Sequence, residues 1–120
     1  MTRITVRIDF TDDRHLGHGK IRLLELIEQH GSIAAAARAM GMSYRRAWLL
    51  CDEVNRMFLE PAIGTRLGGK GGGKAELTPF GREIVALYRD AEAQSFAVFG
   101  ERIARLQQRL APTKAGGVAH

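Results

Sequence analysis

Apolar positions recur with two different periods along this chain. Ile4, Val6, Ile8 and Phe10 alternate with polar Thr5, Arg7 and Asp9, which predicts a half-buried strand. Thr11–Gly17 reads as a turn-rich connection. From about His18 to His30 the period becomes helical: Ile21, Leu23, Leu24, Leu26 and Ile27 recur three or four apart, and Gly31 ends the helix. A short alanine-rich helix is then expected after the natural N-cap Ser32, stopping at Gly41, where a left-handed turn residue is needed. Ser43 caps a further helix that runs to about Leu59, with Pro61 as its stop. Ile63–Leu67 and Ala75–Thr78 are strand-like and flank a glycine-rich loop. Thr78 caps the last helix, with Pro79 at its favoured first position, and the helical pattern runs from Pro79 to about Leu110. Its residues Phe96, Phe99, Ile103, Leu106 and Leu110 form a seam of the kind that pairs with another helix.

The 31–48 stretch carries the most information. Ala36, Ala37 and Met40, Met42 in the turn, then Ala47 and Leu50 are spaced to pack two short helices at a steep angle. Ala37 matters most, because a larger side chain there pushes the helices apart. Ser43, Tyr44, Arg45, Arg46, Trp48 and Leu49 are left to project from the start of the second helix. A helix held in this way fits the major groove of DNA, with its N-terminal residues at the base edges. Arg45 and Arg46 point about 100° apart, so one is expected to face bases and the other phosphate. Tyr44 suits a phosphate or a thymine methyl. Ser43 and Ser32 cap their helices and offer hydroxyls or helix N-termini to phosphates. Trp48 fits either the groove or packing against its neighbours.

Gly68–Lys74 matches G-x-x-x-x-G-K, most of a phosphate-binding loop. Ala75 stands where that motif needs a magnesium-binding hydroxyl, and Ala75-Glu-Leu-Thr-Pro opens no helix, so a nucleotide site is rejected. Two strands joined by this loop directly after a helix-turn-helix describe a wing. Lys70 and Lys74 are its candidate contacts to phosphates or the minor groove. The plainer alternative is a basic loop that touches nothing.

Composition changes this picture little. The chain has 120 residues and a net charge of +5, which suits a polyanionic partner. One cysteine, Cys51, excludes an intrachain disulfide framework and fits a reducing compartment. No apolar run approaches the roughly 20 residues of a membrane span, and the N-terminus lacks a signal-peptide core, so a cytoplasmic protein without membrane contact is expected. His15, His18, His30 and His120 form no metal-ligand pattern with Cys51 or each other. No catalytic constellation stands out. The expectation is no enzyme, no cofactor and no metal.

The residues Gly31-Ser-Ile, Gly41-Met-Ser-Tyr-Arg-Arg-Ala-Trp, Glu53-Val-Asn, Gly68-Gly-Lys-Gly-Gly-Gly and Leu77-Thr-x-x-Gly resemble the N-terminal DNA-binding domain of the molybdate-responsive ModE regulators, a winged-helix group related to LysR-type regulators. The likeness covers about residues 4–100. It implies a homodimer on palindromic operator DNA, with the first strand and the long C-terminal helix at the dimer interface. The family carries two molybdate-binding modules after this domain. These 120 residues supply none, so no small-molecule effector is expected on this chain.

The expected fold is mainly α with a small β wing: a winged helix-turn-helix with an N-terminal strand and a long C-terminal dimerisation helix. Residues 1–78 form the DNA-binding domain, 79–110 the dimerisation helix and 111–120 a disordered tail. The expected function is sequence-specific, dimeric transcriptional regulation on double-stranded DNA. The alternatives are an architectural DNA-binding protein without sequence choice and a protein-interaction adaptor.

Overall fold

Ile21, Leu23, Leu24, Leu26 and Ile27 are all buried on the first helix, α1 (His18–His30). In the computed structural model, which describes residues 2–66 and 73–113, α1 is therefore the centre of the fold. A helix apolar over so wide an arc must be covered from several sides. Here α2 (Ile33–Met40), α3 (Tyr44–Met57), strand β4 (Lys74–Leu77) and α4 (Pro79–Gln107) supply the cover. Each fully buried Ile or Leu contributes roughly 1.5–3 kcal/mol by leaving water.

The helix-turn-helix forms as its local signals require. Ser32 Oγ accepts from Ala35 N at 3.0 Å and Ser43 Oγ accepts from Arg46 N at 3.1 Å, satisfying amides that begin α2 and α3. Gly31 and Gly41 close α1 and α2 with φ of 81° and 70°, the left-handed region that favours glycine. Gly41 N donates to Arg38 O and Met42 N to Ala37 O, so the turn between α2 and α3 is short. Ala36, Ala37 and Ala47 are essentially inaccessible, and their small volume lets α2 and α3 approach closely.

The N-terminal strand is shorter than the alternation predicts. Only Ile8–Asp9 (β1) pairs, with His15–Leu16 (β2), inside the segment read as a bare connection. Asp12 and Asp13 turn this hairpin with φ of 61° and 65°. Ile4, Val6 and Ile8 are half-buried, but Phe10 is 41% exposed and lies edge-on to Phe58. Alternation marks a covered face; a ladder also needs a partner strand, and among the described residues only β2 supplies one. Arg14 Nη1 donates to Met57 O at 3.2 Å, tying this hairpin to the last turn of α3.

α3 ends at Met57, with Phe58 already extended, rather than near Leu59. Asn55 holds the chain that follows: its Oδ1 accepts from Ala62 N and Ile63 N at 2.8 and 3.0 Å, and its Nδ2 donates to Ile63 O at 3.0 Å. β3 (Ile63–Arg66) and β4 then pair antiparallel, Ile63 opposite Leu77 and Arg66 opposite Lys74. Lys74, read as part of the glycine loop, is thus the first residue of β4. The loop residues 68–72, Lys70 among them, lie outside the described residues, as do 114–120 of the expected tail.

Thr78 caps α4, accepting from Gly81 N at 3.0 Å and donating to Pro61 O at 2.8 Å. The helix stops at Gln107, short of Leu110. Arg89 anchors it to α1 through two bonds to Glu25, at 2.8 and 2.7 Å. These bonds hold the Glu25 carboxyl below the usual carboxylate range, against the opposing effect of burial. Tyr88 O–H donates to the Val6 carbonyl. Among the described residues no helix is long and apolar enough to cross a membrane.

Candidate nucleic-acid interface

One face of the molecule collects α2's N-terminus, the start of α3 and the stem of the wing. They enclose a groove of about 460 Å³. Ser32, Tyr44, Trp48 and Lys74, four of the residues singled out from sequence, all border it. Arg38 of α2 and Arg66 of β3 border it as well, and sequence reading did not select either. Among the described residues three cations and no carboxylate line this groove, so its field favours an anion.

Beside it lies the outward surface of α3. Ala47, Cys51, Val54 and Met57 face the core. Arg45 and Leu49, one turn apart, lie opposite that line, with Tyr44 and Trp48 flanking. Tyr44, Trp48 and Leu49 are 56%, 45% and 48% exposed, so Trp48 stands out from the core. Ser43, Arg45 and Arg46 border an adjoining hollow, and Arg46 also borders one beside the start of α1, which places it at the opposite edge from Trp48.

The cations of the helix-turn-helix, the wing stem and the elements behind them differ in their partners. Arg14, Arg22, Arg82 and Arg89 are in ion pairs within the body of the domain. Among the described residues, Arg38, Arg45, Arg46, Arg66 and Lys74 are in none. Arg3 near the N-terminus and Arg102, Arg105 and Arg109 at and just past the end of α4 are also in none, but of the cations on the helix-turn-helix and the wing stem, those left unpaired are the ones on or beside the groove face. Carboxylates appear on α3 only further along, where Asp52 pairs with Arg56 at 2.9 Å and Glu53 with Lys20 at 2.5 Å. The first two turns of α3 thus carry unpaired cations on their exposed side, and the later turns carry cations and carboxylates in pairs.

Several residues position this surface without touching it. Lys20 is only 7% exposed, and its ammonium is shared among Glu53 Oε2, His15 O and His15 Nε2. It fixes the rotation of α3 against α1. Glu28 Oε1 accepts from Leu77 N at 3.1 Å while its Oε2 meets Arg82 Nε at 2.5 Å. With the Ala75 N to Gly31 O bond at 2.9 Å, this docks β4 on the end of α1. The Arg82 guanidinium and the Leu77 amide hold the Glu28 carboxyl low. The Leu77-Thr-x-x-Gly and Glu53-Val-Asn elements that carry the family resemblance were the available signals for Gly81 and Asn55, though not for their roles. Cys51 is buried, which pushes its thiol up to about 12 and leaves it unreactive at neutral pH. Among the described residues no three His, Cys, Asp or Glu gather into a metal site.

Phe96, Phe99 and Leu106 of α4 are exposed and Ile103 is partly covered. They continue the line of Ile84 and Tyr88, which the domain buries, past the end of the domain.

The chain is similar to the molybdenum transport protein ModE of Azotobacter vinelandii, 37% identical over 119 residues, which cover 98% of this chain and 43% of that protein. It is 42% identical to the molybdenum-pterin-binding protein MopA of Rhodobacter capsulatus over 71 residues, 59% of this chain and 27% of that one. Against the DNA-binding transcriptional dual regulator ModE of Escherichia coli K12 it is 39% identical over 69 residues, 58% of this chain and 26% of the relative. The chain thus spans less than half the length of these relatives. No family model matches it.

Proposed function

We propose, on the premise that this chain is homologous to the ModE proteins and corresponds to a ModE-like N-terminal domain, that it is a sequence-specific DNA-binding transcriptional regulator of molybdate-related genes. It works in the cytoplasm as a homodimer. The carrying observation is the carboxylate-free groove beside α3, where Arg38, Arg66 and Lys74 stand unpaired next to Tyr44 and Trp48. On this reading α3 enters a major groove with Arg45 at the base edges. Ser32, Ser43, Tyr44 and Arg46 hold phosphates on either side, and Lys70 and Lys74 of the wing hold the flanking backbone.

The homodimer is supported by the apolar line on α4. Phe96, Phe99, Ile103 and Leu106 extend a buried stripe beyond its cover, and a second copy of the same helix buries them by symmetry. Two-fold symmetry in the protein then calls for a two-fold operator.

The test is capture of genomic fragments on the purified chain, followed by sequencing, with and without molybdate. A recurring palindrome near molybdenum-related genes is the expected result. Uniform capture of all fragments replaces the proposal with the architectural reading, and no capture at low salt replaces it with the adaptor reading.

A further inference from the structure

Leu49 is an unusual residue to find at the centre of a polar surface. It is 48% exposed, one turn after Arg45 on the outward line of α3. A hollow of about 330 Å³ opens there, lined among the described residues by Tyr44, Arg45, Trp48 and Leu49. Its walls are mostly apolar, yet Arg45 at its edge is in no ion pair and the neighbouring groove carries Arg38, Arg66 and Lys74, which favours an anionic cover over an ordinary apolar protein surface. The two properties together describe something that is anionic at its edges and apolar at one small point. The major groove of DNA has that character only at thymine, whose C5-methyl projects between the phosphate walls.

Resting on the DNA-binding reading above, we infer that Leu49, backed by Trp48, reads a thymine C5-methyl in the major groove and is a specificity-determining residue. Arg45 and Leu49 are four positions apart, about 6 Å along the helix axis. Arg45 at one base pair therefore leaves Leu49 over a pair one or two steps away. Asp52 and Glu53 come next on α3, already engaged by Arg56 and Lys20, and Arg56 follows on the outward line, so no further exposed apolar side chain stands on that line of the helix. Leu49 is thus the last apolar side chain that reaches the bases.

The experiment selects the preferred duplex from a random pool with the full chain. Each thymine of a half-site is then replaced by deoxyuridine, which removes only the methyl. At one position wild-type affinity falls about fourfold, the effect of one buried methyl group. Leu49→Ala loses a similar factor on the unmodified site and is insensitive to uracil at that position. Leu49→Met, which keeps an apolar contact, stays sensitive. Leu49 is exposed, so these variants fold. If every thymine-to-uracil change affects wild type and Leu49→Ala alike, the inference is overturned while the DNA-binding reading stands. If the pool yields no preferred duplex, the DNA-specific reading itself falls, and the inference with it.

Discussion

Gly81→Ala separates steric from conformational demands on a glycine. Gly81 is helical, in the first turn of α4, so alanine is acceptable to its backbone and gains up to about 1 kcal/mol in helix propensity. The obstacle is space. A Cβ at this position stands 2.1 Å from Ala62 O, 3.0 Å from its carbonyl carbon and 3.3 Å from its Cα. Backbone cannot swing aside as a flexible side chain can, so α4 and the residue before β3 must part until the contact reaches at least 3.4 Å. The same Ala62 carbonyl accepts from Thr78 N at 2.9 Å, and that bond is lost in the movement. Overpacking costs about 1–3 kcal/mol and the lost bond about 0.5–1.5. After the full propensity gain, a net destabilisation of about 0.5–3.5 kcal/mol remains, with its centre near 2. For a domain of this size the central value lowers Tm by about 8 °C, read by far-UV circular dichroism. Gly19→Ala is the control. Gly19 also lies in a helix, but nothing stands within 4 Å of its added Cβ, so its Tm stays level or rises. A Gly81→Ala chain that melts at or above the parent refutes the reasoning.

Asn55→Ala strands two backbone donors and one acceptor between α3 and β3, and urea unfolding should show a loss of about 2–4 kcal/mol. Arg45→Ala removes a base-edge donor: binding to the preferred duplex falls about 5- to 150-fold in an anisotropy titration, with the oligomeric state unchanged by light scattering. Arg66→Ala combined with Lys74→Ala weakens binding to all sequences alike and lowers the slope of log K against log salt by up to about two; an unchanged slope means that the wing stem is idle. Glu25 and Glu28 have folded pKa values below the ordinary 4.5, so the folded chain binds fewer protons than the unfolded one there. Their stabilisation is complete above about pH 4.5 and is lost as pH falls through the lowered values. Tm should decline below pH 4.5, and the decline should be shallower in Glu25→Gln combined with Glu28→Gln. Identical declines in the two chains contradict the assignment.

Where a structural decision is local, the sequence reveals it. Ser32, Ser43 and Thr78 cap the helices they precede, and Gly31 and Gly41 take left-handed φ, because each choice depends on a few neighbouring residues. The helix-turn-helix and the wing are legible for the same reason. Lys20 shows the opposite case. At a helix start it reads as a solvated charge, and only the approach of α3 buries it against Glu53, 33 residues away. Asn55, Glu28 and Gly81 likewise acquire their roles from partners distant in sequence. In the candidate interface, the α3 residues are visible as a projecting set, whereas Arg38 and Arg66 join them only once α2 and β3 have docked.

The C-terminal part of α3 is held at three points: Lys20 at Glu53, the peptide groups bound by Asn55, and Arg14 at the Met57 carbonyl, while Ala47, Cys51 and Val54 seat the rest of the helix on the core. The helix is therefore already folded and oriented before any encounter. No ordering entropy of its backbone opposes association, and none of the heat capacity of coupled folding comes from it. The thermodynamics of a complex then report side chains, released counterions and deformation of the duplex. On the proposed function, recognition by this domain is the docking of a rigid edge, with adaptation left to the nucleic acid.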